Sequence, residues 1–466
     1  MRRRHRRRVG VALAVGAGLV LAACGSGTPG QPAGGNDPTS GGNDPTSDGD
    51  VGGDDAATAV VVEMWQNQFS EADNAWYKSK VDAFNAAQDD VQVKLTVVPG
   101  DAWEQKLKAA QAAGNAPDLY TMNYSAVLPK ARNGELAPIT DLIDADRWAD
   151  LDERFLDAVT EGAEHYAYPM LYEPSSLLFY RTDLFEQAGL DPDSPPESWA
   201  ELIDAATALK AAHSGIVAFQ TAQTGIELSW STWGLQINAT GHFPISDDWS
   251  TSLADDDGYR QLLETYQRLA ADGLLAKQPL SPYGDAQPLG EGKLAMMATG
   301  SWAISQLLLD YPDIIDDIQV APLPSLDGDL TKTTGTLGGW SLGVDAKSEH
   351  PTEAARAISW LLAEDVDVPL DYFDGTNYTK FSPRVSVTEA IAERDTSVNP
   401  WLDVMTEEVV PYQVLEPTYD WEVSLAFGAA MEKALQGQDI EDALETAHAD
   451  ITKLIADLGL ADRRQS

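Results

Sequence analysis

The 466-residue sequence contains one cysteine, six histidines and comparatively few positive charges. One cysteine cannot close an internal disulfide, and it cannot supply a cysteine-rich zinc site. The histidines, at positions 5, 165, 213, 242, 350 and 448, include no pair at metal-binding helical spacing. No metal and no other cofactor is implied. Lys and Arg number 31 against 74 Asp and Glu, a formal charge of −43. Such a chain repels phosphate backbones and anionic headgroups, which excludes a nucleic-acid binder and a polybasic peripheral membrane protein. Catalytic signatures are also missing. Gly290-Glu291-Gly292-Lys293 lacks the spacing and the Ser or Thr of a Walker A loop. There is no His-Glu-x-x-His, no Gly-x-Ser-x-Gly and no helix-opening Gly-x-Gly-x-x-Gly. Asp327-Gly328-Asp329 and Asp255-Asp256-Asp257-Gly258 lack the ligand ladder of an EF-hand. They read as a turn and an acidic helix start. No catalytic residue is assigned, and the chain is not expected to be an enzyme.

What is present begins at the N-terminus. Six of the first eight residues are arginine, and an uncharged apolar run follows from Val9 to Ala23. This is the layout of an export signal, with an apolar stretch too short to remain as a membrane-spanning helix. The run ends in Leu21-Ala22-Ala23-Cys24, which resembles the bacterial lipobox. That resemblance implies cleavage after Ala23, a diacylglycerol thioether on Cys24 and acylation of the new amino terminus. An ordinary signal could carry an incidental cysteine there, but the chain's only cysteine falls where the lipobox requires one. Several acyl chains anchor stably where one does not. The expected location is the extracellular face of the cell membrane, with the lipid as the only membrane attachment. Removing residues 1–23 also removes six arginines, so the exported chain is still more acidic. Residues 24–58 are the lipidated cysteine and a tether of Gly, Pro, Ser, Thr, Asn and Asp, with Gly34–Ser40 repeated as Gly41–Ser47. It has nothing to bury and is expected to be disordered, with a reach of roughly 30 Å.

The remaining chain alternates strand and helix signals. Ala59–Trp65 and Val91–Val98 are β-branched strand patterns, separated by a helical stretch over about 73–87. Trp103, Leu107 and Ala110 mark one face of a helix, and 116–120 reads as an entry turn and strand. Ser198 and Glu201 form a capping box, after which Trp199, Leu202, Ile203, Ala206 and Leu209 line one helix face. Near the C-terminus Ile440, Ala443, Leu444, Ala447, Ile451, Leu454, Ile455 and Leu458 form a longer stripe. This β-α-β alternation predicts parallel-type sheets with helices on both faces, and about 400 ordered residues call for two α/β lobes.

Tryptophan is abundant, with 13 in the chain. Trp199 and Trp360 sit in helix-periodic patterns and read as core. Trp65, Trp230, Trp233, Trp302 and Trp340 lie at segment ends, where an indole can face a cleft and stack on the C–H face of a sugar. Any single tryptophan is more often packing than ligand contact.

From about residue 59 onward the chain resembles extracellular solute-binding protein family 1, the carbohydrate-binding components of ABC importers of the maltose-binding-protein type. Three segments carry the resemblance. Tyr168-Pro169-Met170-Leu171-Tyr172-Glu173, with Leu178 to Phe185, resembles the family's first interlobe crossing and its following turn. Ser198-Trp199-x-Glu201-Leu202 is similar to a family helix start. Gly292-Lys293-Leu294-Ala295-Met296-Met297, Gly300-Ser301-Trp302, Val320 to Pro324 and Gly338-Gly339-Trp340 complete the set. The resemblance implies a type II periplasmic-binding-protein-like α/β fold of two discontinuous lobes joined by crossover strands, with a ligand cleft between them. Lobe 1 is placed at 59–170 with 341–385, and lobe 2 at 171–340 with 386–466. By position it implies ligand contacts from Trp65, Gln66, Asn123, Tyr124, Glu173, Trp230, Trp233, Trp302 and Trp340, with Arg384 and Trp421 on the rim of lobe 2. The implied role is capture of a sugar, a di- or oligosaccharide, by a monomer that delivers it to permease transmembrane subunits with a separate ATPase.

Two other readings fit the same residues. A polyamine or other cationic solute suits the acidity. A secreted glycoside hydrolase would need a carboxylate pair about 5–10 Å apart across the scissile bond.

Overall fold

A computed structural model of the chain describes residues 59–465. The export signal, Cys24 and the tether lie outside the described residues. Strand β1 (Val60–Asn67) pairs in parallel with β2 (Val91–Val98), from Val60 opposite Val91 to Asn67 opposite Val98. Helix α1 (Glu71–Ala87) connects them and starts at a capping box between Ser70 and Asp73. Helix α2 (Trp103–Ala113) buries Trp103, Leu107 and Ala110, the face legible in the sequence, and ends at Gly114 in the left-handed region. Then β3 (Leu119–Asn123) joins β1 in parallel and leads into helix α3 (Tyr124–Arg132).

After a short hairpin, β4 (Thr160–Glu161) and β5 (Glu164–His165), the chain enters β6 (Ala167–Pro174) and then β7 (Leu177–Arg181). These two belong to different sheets. The larger sheet holds β2, β1, β3 and β6 together with β11 (Thr336–Val344) and β12 (Val414–Leu415). The smaller has the order β10 (Ile318–Pro322), β7, β9 (Leu294–Thr299), β8 (Val217–Gln220). Each sheet is covered by its own helices, giving two α/β lobes discontinuous in sequence.

The sheets are mixed where the β-α-β pattern predicts parallel ones. β11 is antiparallel to both β3 and β6, and β7 is antiparallel to both β9 and β10. A strand arriving from the other lobe enters its new sheet from the opposite end, so its direction is set by the crossing and not by a helical return.

The chain passes between the lobes five times. The first passage is only Ser175-Ser176. The second spans 323–335, the third lies between Ile391 and Trp401, the fourth returns between Val409 and β12, and the fifth follows β12 and reaches the helix Trp421–Leu435. Thr336 Oγ1 and Ser175 Oγ lie 2.9 Å apart, and the Ser175 N–H donates to the Thr336 carbonyl at 2.9 Å. Val387 and Ile391 pack in the core under the larger sheet, whereas Trp401, Met405 and Val409 pack on the smaller sheet. Farther from the crossings, Trp249, at φ +55°, has Arg132 of α3 over its ring at 4.9 Å and Arg464 at 5.6 Å. The Arg132 guanidinium also forms a two-point pair with Glu161 and donates to the Thr418 carbonyl at 3.0 Å.

The helix Trp199–Ala212 shows how local sequence fixes local structure. The Ser198 hydroxyl accepts from the Glu201 N–H at 3.2 Å, and the Glu201 carboxylate accepts from the Ser198 N–H at 3.1 Å. Trp199, Leu202, Ile203, Ala206 and Leu209 are all buried. In the helix Ile440–Leu458 the stripe is narrower than its pattern: Ala443, Leu444, Ala447 and Ile451 are buried, and the last turns are half-exposed. None of the described helices is long and apolar enough to cross a membrane. Ser198→Ala is expected to lower the denaturant midpoint by about 1 kcal/mol of stability with an unchanged slope. An unchanged midpoint would show that the cap contributes nothing.

Candidate functional site

Strand alternation sorts the candidate residues on the larger sheet into two faces. Val62, Met64 and Gln66 of β1 face α1, and Trp65 packs on the other face with the cluster of Tyr120, Tyr172 and Leu337. Gln66 is fully buried; its Nε2 donates to Asn74 Oδ1 at 2.7 Å, while its Oε1 has no partner among the described residues. Trp340 of β11 is half-buried on the α1 face, with Phe69 edge-on at 4.6 Å between ring centroids. Asn123 lies opposite Trp340 in the β3–β11 ladder. Tyr124, the next residue, is a packing residue: it is fully buried, lies beside Phe155, and its hydroxyl donates to the Leu171 carbonyl at 2.9 Å.

Glu173 sits on β6 directly opposite Gly338 of β11. It is 6% exposed, and its Oε2 has no hydrogen-bond partner among the described residues. Burial pushes its carboxyl up to about 7 despite the attraction of Lys380. A second carboxylate absent from the sequence reading lies on the same face. Glu416, one residue past β12, accepts from the Ser125 N–H at 3.1 Å and so caps the start of α3. A Cβ on Gly338 would stand 2.8 Å from Glu416 Oε1, so that carboxylate occupies the space a side chain on the strand would take. Burial raises Glu416 to about 7 as well, and the Glu173 charge adds to the shift. Nothing local in Leu415-Glu416-Pro417 announces this role.

Beyond Glu173 stands an ion pair. Asp73 of α1 accepts from Lys380 Nζ at 2.6 Å and from the Tyr372 hydroxyl at 2.5 Å. Burial opposes the Asp73 charge, but Lys380, Ser70 and Tyr372 outweigh it and hold the carboxyl below its ordinary value.

On the other side of Ser175-Ser176 lies an aromatic group. Tyr283 donates its hydroxyl to the Ser175 carbonyl at 3.1 Å and packs edge-on against Trp230 at 5.1 Å. Trp302 lies 6.1 Å from Trp230 and 6.3 Å from Tyr283. Both tryptophans are half-buried. The glycine in Gly300-Ser301-Trp302 has a steric cause: a Cβ there would fall 2.0 Å from the Trp302 ring. The Ser301 N–H donates to the Pro174 carbonyl at 3.0 Å, which ties this group to the residue after Glu173. Trp233 belongs elsewhere: it is 2% exposed, donates from Nε1 to Ser424 Oγ at 3.0 Å, and meets the half-buried Trp421 edge-on at 6.1 Å.

Arg384, expected on the rim of lobe 2, is packed in the first lobe instead. It is 3% exposed, its Nε donates to Asp150 at 2.8 Å, and its Nη1 donates to the Leu362 carbonyl at 2.8 Å. A buried guanidinium needs this full set of acceptors, so its donors are committed to holding the lobe together. The structure thus gathers Glu173, Trp340, Asn123, Trp230 and Trp302 around the first crossing, with Gln66 farther along the same sheet face. Sequence reasoning missed Glu416, Tyr283 and Phe69. Among the described residues no group of three or more His, Cys, Asp or Glu is placed to hold a metal ion.

Two α/β lobes joined by several passages, with acids and aromatics gathered at Ser175-Ser176, define a two-lobe solute-binding protein. Residues 69–368 match the bacterial extracellular solute-binding proteins, and the chain belongs to that family. Among curated relatives it is 27% identical to a probable ABC transporter-binding protein of Deinococcus radiodurans, over 58% of this chain and 64% of that one. It is 24% identical to a lactose-binding protein of Rhizobium radiobacter, over 67% of this chain and 72% of that one. The chain therefore spans just under two thirds of the first relative's length. Among solved structures it resembles an ABC transporter solute-binding protein from Thermotoga lettingae bound with α-D-tagatose. That likeness has a TM-score of 0.73 at 22% identity, and covers 85% of this chain and 100% of the other.

Two stability predictions follow from the buried charges. Glu173 and Glu416 have raised carboxyls, so the folded state favours their protonated forms, and the stability they contribute is lost as pH rises from about 4.5 through about 7. Between pH 5 and 8 the ligand-free protein should lose thermal stability, by about 1 kcal/mol or more per group, and Glu173→Gln with Glu416→Gln should flatten that slope. A slope unaltered by both substitutions would refute the assignment. Asp73 works in the opposite sense: its contribution is present above its unfolded value and lost in acid. Lys380→Met, which strands that carboxylate, should cost about 3–5 kcal/mol in urea unfolding at neutral pH.

Proposed function

We propose that this protein is the sugar-capturing component of an ABC importer, and that it holds a di- or oligosaccharide between its lobes without altering it. The observation that supports this most directly is the placement of half-buried indoles on both sides of a two-residue crossing, Trp340 on one sheet and Trp302 with Trp230 beyond the other, with the buried Glu173 between them. Aromatic faces stack on pyranose C–H groups, and carboxylates and amides accept from hydroxyls. Gln66 and Glu173 both offer buried acceptor oxygens that lack a partner among the described residues. A sugar touching both lobes favours their closed arrangement, because it gains contacts there that the open arrangement lacks. The closed form then docks on permease subunits whose separate ATPase drives import. The lactose-binding relative and the tagatose-bound neighbour are consistent with a sugar ligand.

In this reading the protein is a monomer anchored through Cys24 outside the cell. Its first lobe keeps all of β6 and β11 together with Val387 to Ile391, so the expected bounds of 59–170 with 341–385 and of 171–340 with 386–466 shift to the Ser175-Ser176 and 323–335 passages and to the segment between Ile391 and Trp401. Screening mono- and oligosaccharides by thermal shift and calorimetry should find a ligand that is recovered intact. Trp302→Ala should weaken that ligand by more than about 1 kcal/mol while the protein stays folded. Tight binding of some other solute class and of no sugar would defeat the proposal.

A further inference from the structure

The two glutamates at the lobe junction share a face of the larger sheet. Residues directly opposite in an antiparallel pair point to the same side, so Glu173 and the open side of Gly338 face together, and Glu416 occupies that open side. Neither carboxylate takes part in an ion pair among the described residues; the nearest cation, Lys380, is bonded to Asp73 and to the Tyr372 hydroxyl. The groups facing the pair can be counted from each side. From α1 comes Asp73, neutralised by Lys380; from the 367–375 helix comes Tyr372; from α3 come Tyr124 and the Ser125 N–H. The start of α3 supplies a partial positive charge to Glu416 and nothing comparable to Glu173. What the junction lacks is one full positive charge with several N–H donors, and Glu173 Oε2 is a buried acceptor without a partner among the described residues.

We propose that Glu173 and Glu416 form a single subsite for a protonated amine, so that the sugar captured between the lobes is an amino sugar. This rests on the sugar-binding reading above and narrows it. A hydroxyl brings one donor and no charge, whereas an ammonium brings three donors and a charge that offsets the cost of holding a buried and a half-buried carboxylate side by side. Without a cation the protein meets that cost by holding both groups close to neutral, which agrees with carboxyls raised to about 7.

The test uses calorimetry on the full chain. Its probes are 2-amino-2-deoxy sugars of gluco, galacto and manno configuration, as mono- and disaccharides, each beside its N-acetylated and its 2-hydroxy counterpart. N-Acetylation keeps the ring and removes the charge. At pH 7 at least one amine is expected to bind tenfold or more tighter than both of its counterparts. Its affinity should rise between pH 5.5 and 7 as the carboxyls ionise. Glu173→Gln and Glu416→Gln should each reduce the ratio of amine to neutral affinity at least tenfold. The ligand-free melting temperature of Glu416→Gln at pH 8 should be unchanged or higher. A lower one, with the amine preference intact, would reduce Glu416 to a helix cap and overturn the proposal. Neutral counterparts that bind as well as the amines would also overturn it and leave sugar capture standing. Failure of every sugar, charged or neutral, would reject both.

Discussion

Ser175-Ser176 is the constraint on which the rest of the molecule depends. Two residues cannot hold two sheets apart, so β6 and β7 must follow each other almost directly while belonging to different lobes. The polar groups of this segment are buried and have to be satisfied by what surrounds them. Thr336 at the start of β11, Gln413 just before β12, and Tyr283 from the second lobe all reach them. The hydroxyl-rich composition of the junction follows from that need. So does the presence of the aromatic group: Tyr283 is fixed by its bond to Ser175, and Trp230 and Trp302 pack around it.

The fold was legible in the sequence wherever a pattern and its partner were close together. β2 occupies the alternating run Val91–Val98, α2 buries the three residues its period marks, and Ser198 with Glu201 makes both bonds of the cap. The site was legible only in part. Glu173, Trp302 and Trp340 each stand in a recognisable local segment, and all three lie near the first crossing. Glu416 does not, since it follows a two-residue strand and acquires its setting from Gly338 and Ser125, far away in the chain. Arg384 misled for the same reason in reverse. Its acceptors, Asp150 and the Leu362 carbonyl, come from other parts of the chain, and nothing next to it in sequence reveals that its charge is already matched. Trp233 and Trp302 are alike as letters; one is enclosed by Ser424 and Trp421, while the other remains half-exposed over Gly300.

The overall acidity and the acidity of the junction are separate matters. Most of the surplus carboxylates are exposed, where water and salt screen them. Glu173 is buried and Glu416 half-buried beside a neutral Asp73–Lys380 pair, and their charge is governed by that withdrawal from water. The sum that sets the chain apart from nucleic-acid binders thus says nothing of the setting of these two residues among 74.

Helix α3 is bound at both ends to one short stretch of chain. Glu416 meets its first turn at Ser125, and Arg132 in its last turn reaches the Thr418 carbonyl. Residues 416–418 are therefore splinted along α3 and travel with the first lobe. Tyr419, the next residue, is already packed in the core of the second. The change of lobe along this last passage therefore falls between Thr418 and Tyr419, a step as short as Ser175-Ser176 where the length of the segment alone would suggest a slack cord.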